Sequence, residues 1–149
     1  ELDFIKTKAG DGFYLQELTK DSKLNFGELE FDFYPTSHSK ECFGIKVKGP
    51  NATLAYTADT ALDNNLIQFF KGSNLLLAEA SLLEQDSERR SSGHMTVKDA
   101  VEFGTKAEVD KLLLTHLGSV YQTEDIKAEI PETDFDVEVS EVLKSYFIS

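Results

Sequence analysis

At 149 residues the chain has the length of one domain and can bury a core, and with 40% apolar residues, 11 Phe and 5 Tyr but no Trp, it has the composition of a soluble globular protein. A formal net charge of −12 leaves no basic stripe to release counterions from a phosphate backbone, which makes nucleic acid an unlikely default partner; the pair Arg89-Arg90 is too short to reverse this. One cysteine, Cys42, rules out an intrachain disulfide, and there is neither a membrane-length apolar run nor a basic-then-apolar leader, so the expectation is a cytoplasmic protein with no membrane partner.

Leu2 to Ile5 predicts a short strand stopped by the turn residues Gly10-Asp11-Gly12, and Tyr14 to Leu18 a further candidate strand before a turn at Asp21-Ser22-Lys23. Glu28 to Tyr34 alternates strictly, with Leu29, Phe31 and Phe33 on one face and Glu30 and Asp32 on the other; Phe43 to Lys48 repeats the pattern with lysine on its polar face. As antiparallel neighbours these strands would pair acid with base across their outer faces. Gly49-Pro50-Asn51 turns the chain into a strand over Leu54–Ala58. Leu62, Leu66, Phe69 and Phe70 then fall on one helical face, closed by Lys71-Gly72. A buried strand over Leu75–Glu79 follows, then a polar, Ser-rich stretch from Gln85 to Gly93 with the composition of a mobile loop.

Thr96-Val97-Lys98-Asp99 resembles a capping box with Asp in place of Glu, opening a helix whose apolar stripe is Val97, Ala100, Val101 and Gly104. Leu112 to His116 reads as a strand buried on both faces. Thr123–Ile130 is a short helix stopped at Pro131, and Phe135–Val139 a last alternating strand. Antiparallel strands followed by β-α-β-α-β predict an α/β fold, a mixed sheet with helices on one face.

Three strands end in groups that do chemistry: Thr53–Ala58 in Asp59-Thr60, Asn74–Ala78 in Glu79-Ala80-Ser81, and Leu112–Thr115 in His116. The carboxyl ends of parallel strands are where open α/β sheets bind ligands. Asp59 and His116 offer the carboxylate oxygen and imidazole nitrogen that a borderline metal such as zinc prefers. Glu79 within reach of a histidine would orient its ring and raise its basicity; His94 lies between Gly93 and a helix start. Two ligands are fewer than a catalytic zinc needs, and nothing around His38 in Pro35-Thr36-Ser37-His38-Ser39 argues for ligation.

The order of these pieces resembles the C-terminal half of a metallo-β-lactamase-fold hydrolase of the ribonuclease Z-like branch. Tyr56-Thr57-Ala58-Asp59-Thr60 is similar to the family's (S/T)-(G/A)-D-T strand end, Leu76-Leu77-Ala78-Glu79-Ala80-Ser81 to its EA(T/S) element, Gly93-His94-Met95-Thr96 to H-(S/M)-T, and Leu113-Leu114-Thr115-His116 to L-x-L-T-H. The resemblance implies half of an αβ/βα sandwich. It makes Asp59 the carboxylate bridging two zinc ions, with manganese as the alternative, and His116 a ligand of the second ion. His94 becomes the proton donor at the scissile group and Glu79 its orienting partner, while His38 and Cys42 lie in a loop and strand with no liganding role. Metals so held make hydroxide from water near neutral pH.

The family's H-x-H-x-D-H loop does not occur in the chain, Ala78 stands where some relatives carry His, and Leu117-Gly118-Ser119 departs from the residues those enzymes place after the last ligand. With Glu1 rather than Met as its first residue, the expectation is a processed or truncated chain, the C-terminal portion of such a domain. It would be weak or inactive alone and would act, in the complete protein, on a small phosphodiester or ester. The alternative is a stand-alone, non-catalytic interaction domain. Either way an exposed sheet face predicts a homodimer or association with the missing N-terminal half.

Overall fold

A computed structural model of the chain describes residues 17–148. The strand at Leu2–Ile5, the turn at Gly10–Gly12 and most of Tyr14–Leu18 lie outside the described residues. The described strands are β1 (Lys23–Phe26), β2 (Leu29–Pro35), β3 (Phe43–Lys48), β4 (Thr53–Tyr56), β5 (Leu75–Glu79), β6 (Lys111–Thr115) and β7 (Asp136–Val139); the helices are α1 (Asn64–Phe70), α2 (Val97–Lys106) and α3 (Thr123–Glu129). They form a single mixed sheet in the order β1-β2-β3-β4-β5-β6-β7, antiparallel from β1 to β4 and parallel from β4 to β7.

The change of direction after β4 follows from the connections. Tight turns reverse the chain in the first half, and helices return it to the same end in the second, so every parallel strand ends at one edge. β1 is an element the sequence reading missed. It forms a hairpin with β2 through Gly27-Glu28, and Gly27, at φ 60°, supplies the left-handed backbone such a short loop requires.

Each helix end has a chemical cause. Asp63 caps α1 by accepting from the amides of Asn65 and Leu66. Thr96 and Asp99 form the reciprocal capping box of α2 foreseen from their spacing. The carbonyls of Phe69 and Lys71 at the end of α1 accept from Lys46 Nζ, reaching over from β3; burial pushes that ammonium's pKa down.

All three helices cover one sheet face. Leu66, Ile67 and Phe70 of α1, Val97, Ala100, Val101 and Phe103 of α2 and Ile126 of α3 share one core with Ala55, Leu76, Ala78, Leu112, Leu114 and Val139. α1 lies so close to β3 that a Cβ on Gly44 would come within 2.8 Å of Phe70 Cζ.

Strand alternation fixes what the other face carries. Gly44, Lys46 and Lys48 lie toward the helices, and register places Glu30, Asp32 and Tyr34 with them. The acid–base pairing expected between β2 and β3 is present, with Lys48 Nζ 2.8 Å from Glu30 and 2.6 Å from Asp32, and those bonds hold the Asp32 carboxyl below its usual range. It lies on the helix side, however, not on an outer face, because α1 covers only the Gly44 and Ala55 end of that surface. The helix-free face is the apolar one: Leu29, Phe31, Phe33, Ile45, Val47 and Leu54 follow one another across it.

Phe70 is fully buried at the meeting of α1, α2 and β3. Phe70→Ala is expected to cost about 3–5 kcal/mol, read as a lowered midpoint in urea with an unchanged slope.

Candidate metal centre and cleft

At the carboxyl end of β4 the chain turns sharply. Ala58 takes φ 52°, uncommon for a residue with a side chain, and Thr57 Oγ1 donates to the Ala58 carbonyl at 2.8 Å while accepting from the Glu79 amide at 3.0 Å. This turn aims Asp59 over the sheet edge. At the end of β6, His116 is itself left-handed, at φ 49°, and its Nδ1 lies 2.6 Å from Asp59 Oδ1. Two strand ends thus bend toward each other and bring carboxylate and imidazole into contact.

Glu79, at the end of β5, is fully buried. Its Oε1 accepts from the Thr60 amide at 3.1 Å and from His94 Nδ1 at 2.9 Å; its Oε2 accepts from the Ser81 amide at 3.2 Å and Ser81 Oγ at 2.9 Å. Both oxygens are therefore occupied by protein donors, although a Glu79 oxygen lies within 4.8 Å of ligand-type atoms on His94 and His116. With Nδ1 donating to the carboxylate, the free ring nitrogen of His94 is Nε2.

His38 enters the same cluster. Its loop is fastened to the Asp59 turn by Thr36 Oγ1 donating to the Asp59 carbonyl at 2.8 Å, by the Ser37 amide donating to Thr60 Oγ1 at 3.1 Å and by the Ala61 amide donating to the Ser37 carbonyl at 2.9 Å. Its ring stands edge-on to His94, centroids 5.1 Å apart, and His94 stands edge-on to His116 at 5.7 Å. His38, Asp59 and His94 place ligand-type atoms within 4.8 Å of one another. The sequence reading gave His38 no part in the site. Its proximity depends on the β2–β3 hairpin lying beside β4, which no local motif announces.

The stretch expected to be a mobile loop is ordered as 3₁₀ turns over Glu84–Ser92. Arg90 fastens it: Nε meets Asp99 Oδ2 at 2.6 Å, and Nη2 meets Glu84 at 3.1 Å and Thr96 Oγ1 at 3.2 Å. Burial alone would push the Asp99 carboxyl up; the bonds from Arg90 and Thr96 outweigh it and hold the group below its ordinary value. The turns end at Gly93, φ 88°, where a Cβ would lie 2.7 Å from His38 Nδ1 and 2.8 Å from its Cα. The Gly93 carbonyl, 3.0 Å from His38 Nδ1, is its hydrogen-bond partner.

Next to His94 and His116 opens a cleft of about 460 Å³, its walls formed by Ser81 and Arg89 on one side and the 117–121 turn on the other. Gly118 lets that turn approach: a Cβ there would come within 2.5 Å of the Ser81 carbonyl. Burial, and after it the negative charge of Asp59, pushes the Tyr56 phenol pKa up.

All four site residues expected from sequence, Asp59, Glu79, His94 and His116, meet at this edge. The profile of the β-lactamase superfamily domain matches residues 2–117, and the chain belongs to that superfamily, in its ribonuclease Z-like branch. It is 30% identical over 128 residues to YhfI of Bacillus subtilis, named a probable metallo-hydrolase, covering 86% of this chain and 51% of that protein. It is 34% identical over 116 residues to ribonuclease Z of Pyrococcus abyssi, covering 78% of this chain and 35% of the relative.

The crystal structure of YhfI, described as a metallo-β-lactamase fold protein, superposes with a TM-score of 0.76 at 26% identity, over 83% of this chain and 52% of that one. Human tRNase Z, short form, shares the fold with a TM-score of 0.68 at 17% identity, over 85% of this chain and 44% of that one. The chain thus spans about half the length, or less, of these relatives.

Two expectations follow from the loop that carries His94. Gly93→Ala forces a left-handed alanine against His38, and the backbone conformation alone should cost about 1–2 kcal/mol; a Tm within error of the parent would contradict the packing described. Asp99, with a pKa lowered on folding, contributes stability at neutral pH that is lost as pH falls below the ordinary 3.8 and through the folded value. Chemical denaturation at pH 7 and pH 3 should therefore show a smaller acid-induced loss for Asp99→Asn than for the parent.

Proposed function

We propose that this chain is the C-terminal half of a metal-dependent hydrolase of phosphodiesters or related small esters, and that the remaining metal ligands come from the half of the fold that the longer relatives contain. The observation that carries the reading is the convergence of an Asp59–His116 pair and a Glu79–His94 pair at one cleft. The donor set fits zinc, with manganese second: imidazole nitrogens and one carboxylate with a free oxygen, without thiolate. The ribonuclease names of relatives support a phosphodiester substrate, and the net charge of −12 favours a small one over a long nucleic acid.

Asp59 and His116 are the residues of this chain that would hold metal. A metal held there would supply an activated water and stabilisation of the charge developing on phosphoryl or carbonyl oxygens. His94, fixed through Nδ1 by a carboxylate that cannot itself reach the cleft, delivers a proton from Nε2 to the leaving oxygen as that bond breaks. His38 acts as a positioning residue, since its Nδ1 is spent on the Gly93 carbonyl that immediately precedes His94. The single thiol and the absence, among the described residues, of a helix able to cross a membrane support a cytoplasmic setting.

The apolar helix-free face favours one further reading, a non-catalytic role in association. Phe26 is 79% exposed and Leu24 and Leu29 lie beside it, a surface suited to the other half of the fold or to a second copy of this chain.

The test is metal analysis joined to mutagenesis in the protein that includes the sequence upstream of Glu1, where an H-x-H-x-D-H motif is expected. Asp59→Ala and His116→Ala should lose both metal and hydrolysis. His94→Ala should keep its metal and lose about 10²–10⁴ in kcat. His38→Ala should also retain metal, and its loss would make His38 a ligand. Full activity in the first two variants would refute the assignment.

A further inference from the structure

Adjacent arginines in this chain have different fates. Arg90 is held through Nε and Nη2 by Asp99, Glu84 and Thr96. Arg89 is exposed, its guanidinium makes no ion pair or hydrogen bond among the described residues, and it lines the cleft beside His94 and His116. The anchored Arg90 also explains why Arg89 is held where it is, because it pins the backbone of the very next residue to the N-terminus of α2. Opposite, Tyr121 hydroxyl donates to Asp86 Oδ2, tying the 117–121 wall to the segment that carries Arg89.

The lining of the cleft is unusual for so acidic a chain. With 27 Asp and Glu in the sequence, its walls carry no carboxylate; their polar side chains are Arg89, His94, His116, Ser81, Ser119 and Tyr121. Ser81 and Tyr121 already spend their hydroxyl protons on Glu79 and Asp86, whereas Arg89 offers a free fork of N–H groups shaped for two oxygens of one anion.

We propose that Arg89 is the substrate-anchoring residue of this cleft, gripping the non-bridging oxygens of a phosphodiester or phosphate monoester while His94 faces the leaving oxygen. The inference rests on the hydrolase reading for the reaction but not for the binding. An anion held this way is recognised by charge and planarity at a point separate from the metal ligands, so the cleft selects phosphate esters over neutral esters. A cleft of about 460 Å³ holds one small ester group and its immediate substituents, with the remainder of a larger substrate left outside.

The experiment uses the full chain and inorganic phosphate or dimethyl phosphate as probe, with binding followed through the ring NMR signals of His94 and His116. Arg89→Ala should weaken binding at least tenfold and Arg89→Lys recover part of it. Lys98→Ala, an equal loss of charge on the exposed side of α2, should change it less than twofold. Unchanged binding in Arg89→Ala, or equal weakening by Arg89→Ala and Lys98→Ala, overturns the proposal.

In the metal-loaded complete protein, Arg89→Ala should raise KM for bis(4-nitrophenyl) phosphate about tenfold with a smaller change in kcat, and leave KM for 4-nitrophenyl acetate unaltered. Equal effects on both substrates likewise overturn it. If the parent hydrolyses neither compound, the hydrolase reading fails, and the phosphate titration still decides the role of Arg89.

Discussion

A fully buried carboxylate, Glu79, is the constraint around which the site is built. A charge removed from water is tolerated only when its oxygens are met by donors. Here the donors come from three separate pieces of chain: the Thr60 amide behind β4, the Ser81 amide and hydroxyl behind β5, and His94 ahead of α2. Satisfying Glu79 therefore fixes the relative positions of the Asp59 turn, the floor of the cleft and the His94 ring. Among the described residues, no buried side-chain polar atom is left without a partner, so this arrangement carries none of the penalty of an orphaned group.

The sheet supplies the rest of the precision. Parallel pairing of β4, β5 and β6 places their carboxyl ends side by side, and the side chains that matter lie at or just beyond them. Two of those ends use left-handed residues that are not glycine, Ala58 and His116. Such backbone is unfavourable in isolation and persists where surrounding bonds over-determine it: the Thr57 hydroxyl holds the Ala58 carbonyl, and the Asp59 carboxylate holds His116. The strain is concentrated in the residues that turn Asp59 and His116 toward one another, and relaxing it would separate them.

What was legible in the sequence, and what was not, divides along the same physical line. Periodicity and end chemistry are local, so β5, α2 with its capping box, and the strands ending at Asp59 and His116 could be read from consecutive residues. The Glu79–His94 pair was indicated only by the family resemblance of the short motifs around each residue, because nothing local says which histidine a strand-end carboxylate meets. His38 was not indicated, since only the long-range hydrogen bonds of Thr36 and Ser37 to the Asp59 turn carry it to the cluster.

The 84–92 segment looked mobile because polarity was taken as looseness. Its order comes from one arginine bridging elements distant in sequence. The sidedness of Glu30 and Asp32 was misjudged for a related reason: alternation says which residues share a face, but only the packing of α1 on Gly44 says which face the helices take.

The distribution of charge makes an acidic protein compatible with the anionic substrate proposed for it. Exposed charges more than a Debye length of about 8–10 Å apart are screened from one another at physiological salt, so what an arriving phosphate meets is the set of groups within that radius and not the net charge. Many of the acids are spent pairwise: Glu30 and Asp32 on Lys48, Glu84 and Asp99 on Arg90, Glu138 and Asp136 on Lys111. Asp59 and Glu79, the carboxylates nearest the cleft, are turned onto His116 and His94. The pairing does more than stabilise each acid. It turns oxygens of Asp59 and Glu79 onto histidine Nδ1 atoms and keeps both carboxylates out of the cleft lining, where a guanidinium is left unmatched, so that the same residues that hold the histidines also leave an open approach for the proposed anion.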